Sequence, residues 1–189
     1  MSKLISPAII VAGLGMAFVV FISNILVQTS VLPLDNYFGG QYFNYAQFTF
    51  PIAFLITDII NRTLGSNKAY VVIAAGFIVG GIMSVLAGDV RIGMASMVAF
   101  AVGQFLDVTI FNRFRIAVWW LAPLISSLVA SLIDTWIFYA GAFYGQDWPW
   151  QIQAWIDYGI KVIVALVALV PFRLVVARLI GHPVVAREG

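Results

Sequence analysis

The sequence predicts an all-α polytopic membrane protein with six transmembrane helices, both termini cytoplasmic, folded as a single six-helix domain over residues 1–189. Three observations predict it. First, 62% of the 189 residues are hydrophobic and only 10% charged, with a mean hydropathy of +1.01, whereas a water-facing domain carries about 25% charged residues. Second, long apolar runs recur between short polar interruptions, each run near the roughly 20 residues that one bilayer crossing takes. Third, Lys and Arg gather in alternate interruptions, as positive-inside topology requires. The net charge of +2 is too small to imply a nucleic-acid partner. The absence of cysteine excludes a disulfide framework and thiolate metal sites. The single histidine, His182, lies in the polar tail, so neither a metal nor a cofactor is expected in the core.

The first span runs from Pro7 to Ser30. Lys3 ahead of an apolar run resembles a signal peptide, but the run is too long for an h-region and lacks a small-residue cleavage site, so it reads as a retained helix. Its polar residues, Ser23, Asn24 and Gln28, lie towards the outer end. The loop Val31–Tyr45 is aromatic and glycine-rich, which suits either a lid over an outward opening or a segment resting on headgroups. The second span, Ala46–Leu64, carries Thr57 and Asp58, followed by Asn61 and Arg62. The third, Ala69–Gly88, offers only Ser84 besides Gly76, Gly80 and Gly81, the small residues that allow close backbone packing in a scaffold helix. The fourth, Ile92–Phe111, carries Gln104 and Asp107, and the fifth, Ala117–Tyr144, carries Ser126, Ser127, Ser131, Asp134 and Thr135. The sixth, Trp155–Leu179, carries Asp157, Tyr158 and Lys161.

Orientation follows from Lys3, Arg62, Lys68, Arg113, Arg115, Arg173, Arg178 and Arg187 on one side, against Asp35, Asp89, Asp147 and Arg91 on the other. Trp119 and Trp120 mark the inner interface, and Trp148, Trp150 and Trp155 the outer one. Two sets of three spans are compatible with an inverted repeat, since Thr57-Asp58 and Asp134-Thr135 recur in the second and fifth helices.

A carboxylate among lipid-depth residues costs several kcal/mol unless paired, so each is a hypothesis about function. Asp58 and Arg62 are four residues apart, a spacing that permits a simple ion pair, although an acid near a helix C-terminus opposes the macrodipole. Asp157 and Lys161 share that spacing. Asp134 has no cation among its helical neighbours and must find a partner on another helix, be protonated, or touch a ligand, with Lys161 the obvious cross-helix partner. Asn24 and Gln104 fit either substrate contact or interhelical hydrogen bonding.

These residues resemble a known family. GQFLDVTIFNRFR over 103–115, then Trp119-Trp120-Leu121-Ala122-Pro123, Asp134-Thr135 with Phe138 and Ala142-Phe143, Asp157-Tyr158-x-x-Lys161 and Pro171 are similar to the queuosine precursor transporter family. Ser23-Asn24-x-Leu26-Val27-Gln28 and Phe50-Pro51-x-x-Phe54-Leu55-x-Thr57-Asp58 extend the likeness over nearly the whole chain. Arg62 departs from it, since many relatives in the wider group have an acid there. The resemblance implies import of 7-deazaguanine bases across a bacterial inner membrane. A guanine-like edge suits these residues, with two adjacent donors for a carboxylate and an acceptor oxygen for Lys or an amide. Its ring would stack on aromatics such as Phe54, Phe105, Phe138 or Tyr158.

The expected site has Asp58 or Asp134 on the base edge, with Lys161, Asn24 and Gln104 completing the contacts. Asp107 and Asp157 are the expected coupling and proton sites, because burial disfavours the charged form of a carboxylate until a cation or substrate arrives. The expected partners are a purine-like small molecule and the lipid bilayer, and a homodimer is compatible with the sequence. The main alternative is a substrate-binding subunit like those of energy-coupling-factor importers, which need a partner ATPase. A membrane-embedded enzyme using Ser131 or Lys161 is a third reading.

Overall fold

The computed structural model describes residues 6–28, 45–86, 90–147 and 149–180. Among them are six helices and no strand: α1 (Pro7–Gln28), α2 (Ala46–Leu64), α3 (Ser66–Leu86), α4 (Val90–Phe114), α5 (Leu121–Phe143) and α6 (Trp150–Ile180). Both termini, nearly all of the Val31–Tyr45 loop, Asp89 and Trp148 lie outside the described residues.

Five of the six helices are long and apolar enough to cross a membrane. The exception is α2, whose 19 residues span about 28 Å, long enough for the task. Its composition falls short because Gln47, Thr57, Asp58 and Asn61 are polar, and all four are buried. Packing explains how a helix can carry them, because α2 touches each of the other five helices. Its polar face meets protein where a peripheral helix would meet lipid.

The boundaries follow local chemistry. A single residue, Gly65, separates α2 from α3. It has a positive φ of 92°, which glycine adopts without strain. Its N–H caps α2 through the carbonyls of Ile60 (3.2 Å) and Asn61 (3.1 Å), and its own carbonyl accepts from Lys68 and Ala69 (3.2 Å each). The third helix therefore starts at Ser66, three residues before the expected Ala69. The stretch after Phe114 turns until Leu121, with Pro123 in the first turn of α5, where its missing N–H is harmless. Helix α6 begins at Trp150, after Pro149, and runs 31 residues through Pro171. At about 46 Å it exceeds the hydrocarbon thickness and must tilt or project from it.

Helix α3 is the expected scaffold. A Cβ at Gly76 would lie 2.7 Å from Met16 Cγ and 3.0 Å from Phe100 Cζ, and one at Gly81 would lie 3.0 Å from Met97 Cε. Glycine lets α1 and α4 seat large side chains directly against the α3 backbone. Met16, Val20, Val72, Phe100 and Val108 join there in one apolar cluster. A second cluster, with Phe111, Ala122, Phe172 and Val176, closes the basic end of the bundle, and Tyr139, Trp150 and Ala154 close the other. Exposed apolar residues such as Val11, Leu14, Phe18, Ile78, Ile82 and Leu174 form the lipid-facing exterior.

α1 packs closely on α3 and α2 on α6, while α4 meets α6 through Phe111 on Phe172, ring centroids 6.4 Å apart.

Candidate functional site

The interior holds two polar groups. One joins α5 to α6. Lys161 Nζ donates to Asp134 Oδ2 at 2.8 Å and to Thr135 Oγ1 at 2.9 Å, and lies 3.1 Å from Asp157 Oδ2. Thr135 in turn donates to Asp157 Oδ2 at 3.4 Å. All four residues are buried. The cross-helix partner expected for Asp134 is present, and the Asp157–Lys161 pairing along α6 forms as well. An ammonium has three donors, and all three of Lys161's are engaged.

The other group lies between α2, α4 and α5. Thr57 Oγ1 donates to Gln104 Oε1 at 2.6 Å. Ser126 and Ser127 each donate to Asp58, at 3.4 Å to Oδ1 and Oδ2 respectively. Asp107 lies within hydrogen-bonding reach of Asp58 and Ser126. Asn61 and Asp107 are 0% exposed and Gln104 1%. Both polar atoms of the Asn61 side chain and Gln104 Nε2 have no hydrogen-bond partner among the described residues. No cation pairs with either carboxylate in this group among the described residues.

Gly103 brings the two groups together. A Cβ there would lie 2.9 Å from Asp134 Cβ and 3.5 Å from Asp134 Oδ1. Asp134 is therefore seated against the α4 backbone, one residue before Gln104.

A narrow crevice reaches Asp58 between α2, α5 and α6. It is lined by Pro51, Phe54, Ser127, Ser131, Leu169 and Phe172 among others, and its free space is about that of one water molecule.

Several expected residues lie elsewhere. Asn24 donates Nδ2 to the Val20 carbonyl of its own helix at 2.8 Å. It lines a separate crevice with Phe50, Gly80, Ser96 and Phe100. The Asp58–Arg62 pair does not form. Arg62 Nη1 donates to the Arg115 carbonyl, and Arg115 Nη2 donates back to the Arg62 carbonyl at 3.0 Å. Each guanidinium serves a carbonyl in or just beyond a helix's last turn, where intrahelical partners run out. Asn112 accepts from Arg115 Nη1 at 3.4 Å. Of the aromatics expected to stack, only Phe54 lines the crevice. Phe105 is 57% exposed and stacks on Tyr70 at 6.2 Å, while Phe138 packs on Tyr139 and Phe143 and Tyr158 on Trp155. Asn61 was not among the candidate residues read from the sequence. The signal was its place three residues after Asp58 and four after Thr57, on the same face of α2.

Comparison with known proteins agrees with this architecture. Residues 82–176 match the family described as "Putative vitamin uptake transporter". The chain is 32% identical over 187 residues to the "Probable queuosine precursor transporter" of Haemophilus influenzae, covering 82% of this chain and 80% of that one. It is 32% identical over 175 residues to the "Queuosine precursor transporter" of Escherichia coli, covering 79% and 77%. No solved structure matches. The chain therefore belongs to the queuosine precursor transporter family, as a multi-pass transporter of the bacterial inner membrane.

Proposed function

We propose that this protein is a secondary importer of queuosine precursors, 7-deazaguanine bases such as 7-cyano-7-deazaguanine, 7-aminomethyl-7-deazaguanine or queuine, driven by the proton gradient. The names of the relatives supply the substrate class. The observation that carries the coupling is the Asp58–Asp107 pair, two fully buried neighbouring carboxylates with no cation paired to them among the described residues. Two like charges side by side in a lipid-surrounded interior cannot both persist, so the pair holds one proton between its members. That proton is the cargo exchanged with the gradient. Asp58, steadied by Ser126 and Ser127, is its resting place when the substrate occupies the neighbouring carboxylate.

The Asp134–Lys161–Asp157 group is the latch that holds α5 to α6. Because the crevice at Asp58 has space for about one water, substrate entry requires α6 to separate from α2 and α5. Arg62 and Arg115 tie the basic ends of α2 and α4 together, on the side away from substrate entry.

The test is uptake of labelled queuine by liposomes containing the purified protein alone, with no nucleotide. Accumulation is expected to follow an imposed gradient, acid outside. Uptake indifferent to both ΔpH and voltage would contradict proton coupling. Absence of uptake until an ATPase is added would instead make the protein a binding subunit.

A further inference from the structure

One end of the bundle is basic and carries no acid. Arg62 lies in the last turn of α2, Arg113 in that of α4 and Arg178 in that of α6, with Lys68, Arg115 and Arg173 nearby. Residues 59–70, 108–125 and 170–180 contain neither Asp nor Glu. A positive-inside bias accounts for the sign of these charges, but not for the way two of them are held. Arg62 Nη1 donates to the Arg115 carbonyl and Arg115 Nη2 to the Arg62 carbonyl at 3.0 Å. Two cations that repel each other are thereby fixed side by side where α2 meets α4. Of the five N–H donors on each guanidinium, Arg62 gives one to the protein and Arg115 two among the described residues. No carboxylate pairs with either among those residues.

The turn after α4 adds an apolar row beside this pair. Phe114 and Trp119 pack against the cluster of Phe111, Ala122, Phe172 and Val176, and Arg173 lies over the Trp119 ring at 4.8 Å. Alternate residues face away from that anchor. Ile116 is 96% exposed, and Val118 and Trp120 are exposed as well. Apolar side chains projecting from a basic turn suit the headgroup level of a bilayer, where phosphates and acyl carbons are both within reach.

We propose that Arg62 and Arg115 bind the phosphodiester of an anionic phospholipid, with Ile116, Val118 and Trp120 against its acyl chains. Phosphate oxygens accept from guanidinium forks in bidentate fashion, and the anion relieves the repulsion between the two cations. A soluble phosphate would serve the arginines but leave the apolar row without a partner, which commits the site to lipid. A zwitterionic headgroup brings its own cation towards the pair, so the site selects lipids of net negative charge. Because the pair joins α2 to α4, the helices that carry Asp58 and Asp107, an occupied site steadies their junction. The inference is independent of the substrate and of the coupling ion.

The experiment counts lipids bound to the detergent-purified protein by native mass spectrometry, during titration with phosphatidylglycerol or phosphatidylcholine. Wild type is expected to bind its first phosphatidylglycerol about tenfold or more tightly than phosphatidylcholine. Arg62→Gln/Arg115→Gln should reduce that preference to about threefold or less, and so should Arg62→Lys/Arg115→Lys, which keeps the charge but loses the fork. Lys68→Gln/Arg178→Gln removes the same charge from the same end and should leave the preference within about twofold of wild type. Ile116→Asn, at an almost fully exposed position, should weaken phosphatidylglycerol several-fold, and millimolar glycerol phosphate should not displace the lipid. The lysine pair and Ile116→Asn carry the test even if the glutamine pair does not fold. A wild type without preference would overturn the proposal, and so would equal losses in the Arg62/Arg115 and Lys68/Arg178 variants, which diffuse surface charge would produce. Displacement by glycerol phosphate, or unchanged lipid binding by Ile116→Asn, would make this a soluble-anion site and overturn it too.

Discussion

Replacing Lys161 with methionine is expected to destabilise the protein by about 3–5 kcal/mol, the usual result of leaving a buried charge unpaired. Lys161 bridges Asp134, Thr135 and Asp157, so its loss leaves two carboxylates facing each other between α5 and α6. The folded yield in detergent should collapse and uptake should vanish. Neutralising both acids as well, in Lys161→Met/Asp134→Asn/Asp157→Asn, should recover a monodisperse protein, since an uncharged buried group need not be paired with a cation. Size-exclusion profiles and thermal unfolding check this, and a Lys161→Met variant as stable as wild type would show that the group does not hold the helices.

A second large effect is expected at Gly103. Alanine favours a helix interior over glycine by about 1 kcal/mol, so propensity alone predicts that Gly103→Ala stabilises α4. The new methyl, however, would lie 2.9 Å from Asp134 Cβ, and overpacking of this kind costs about 1–3 kcal/mol. Asp134 cannot yield without stretching its 2.8 Å contact to Lys161. The variant should lose at least tenfold in uptake and melt below wild type. Gly159→Ala on α6 is the matched control, since a Cβ there meets nothing within 4 Å, and it should melt at or above wild type. If the two alanines behave alike, the seating of Asp134 on α4 is wrong.

Both residues show what the sequence made legible. Asp134 lacked any cation within helical reach, which left a cross-helix partner, protonation or a ligand, and Lys161 was the obvious candidate for the first. The glycines of α3 announced close packing because a helix interior otherwise disfavours them. The family was legible too, since its motifs run in order along nearly the whole chain. What stayed hidden was rotation about the helix axes and competition from the backbone. Gln104 and Phe105 are adjacent, yet 100° of helical rotation sends one to the core and the other to lipid. Asn24 looked like a substrate ligand, but a short amide reaches its own i−4 carbonyl first. Arg62 had Asp58 at ideal spacing and took the carbonyl of Arg115 instead. Asn61 was passed over as a residue trailing Asp58, because unpartnered polar atoms become visible only once the neighbours are placed.

On the proposed coupling, one proton, shared by Asp58 and Asp107, travels with the substrate. The sign of its pH dependence follows directly. The binding-competent pair holds one proton, raising the pH removes it, and the affinity for substrate must then fall, by up to about tenfold per pH unit. Asparagine at position 58 is permanently neutral and stands in for the protonated acid. The decisive measurement is therefore the dissociation constant of 7-cyano-7-deazaguanine across pH for wild type and Asp58→Asn. Weakening of wild type with rising pH and a flat profile for Asp58→Asn is the predicted result. A wild-type profile that is already flat, or an unchanged slope in Asp58→Asn, would contradict it.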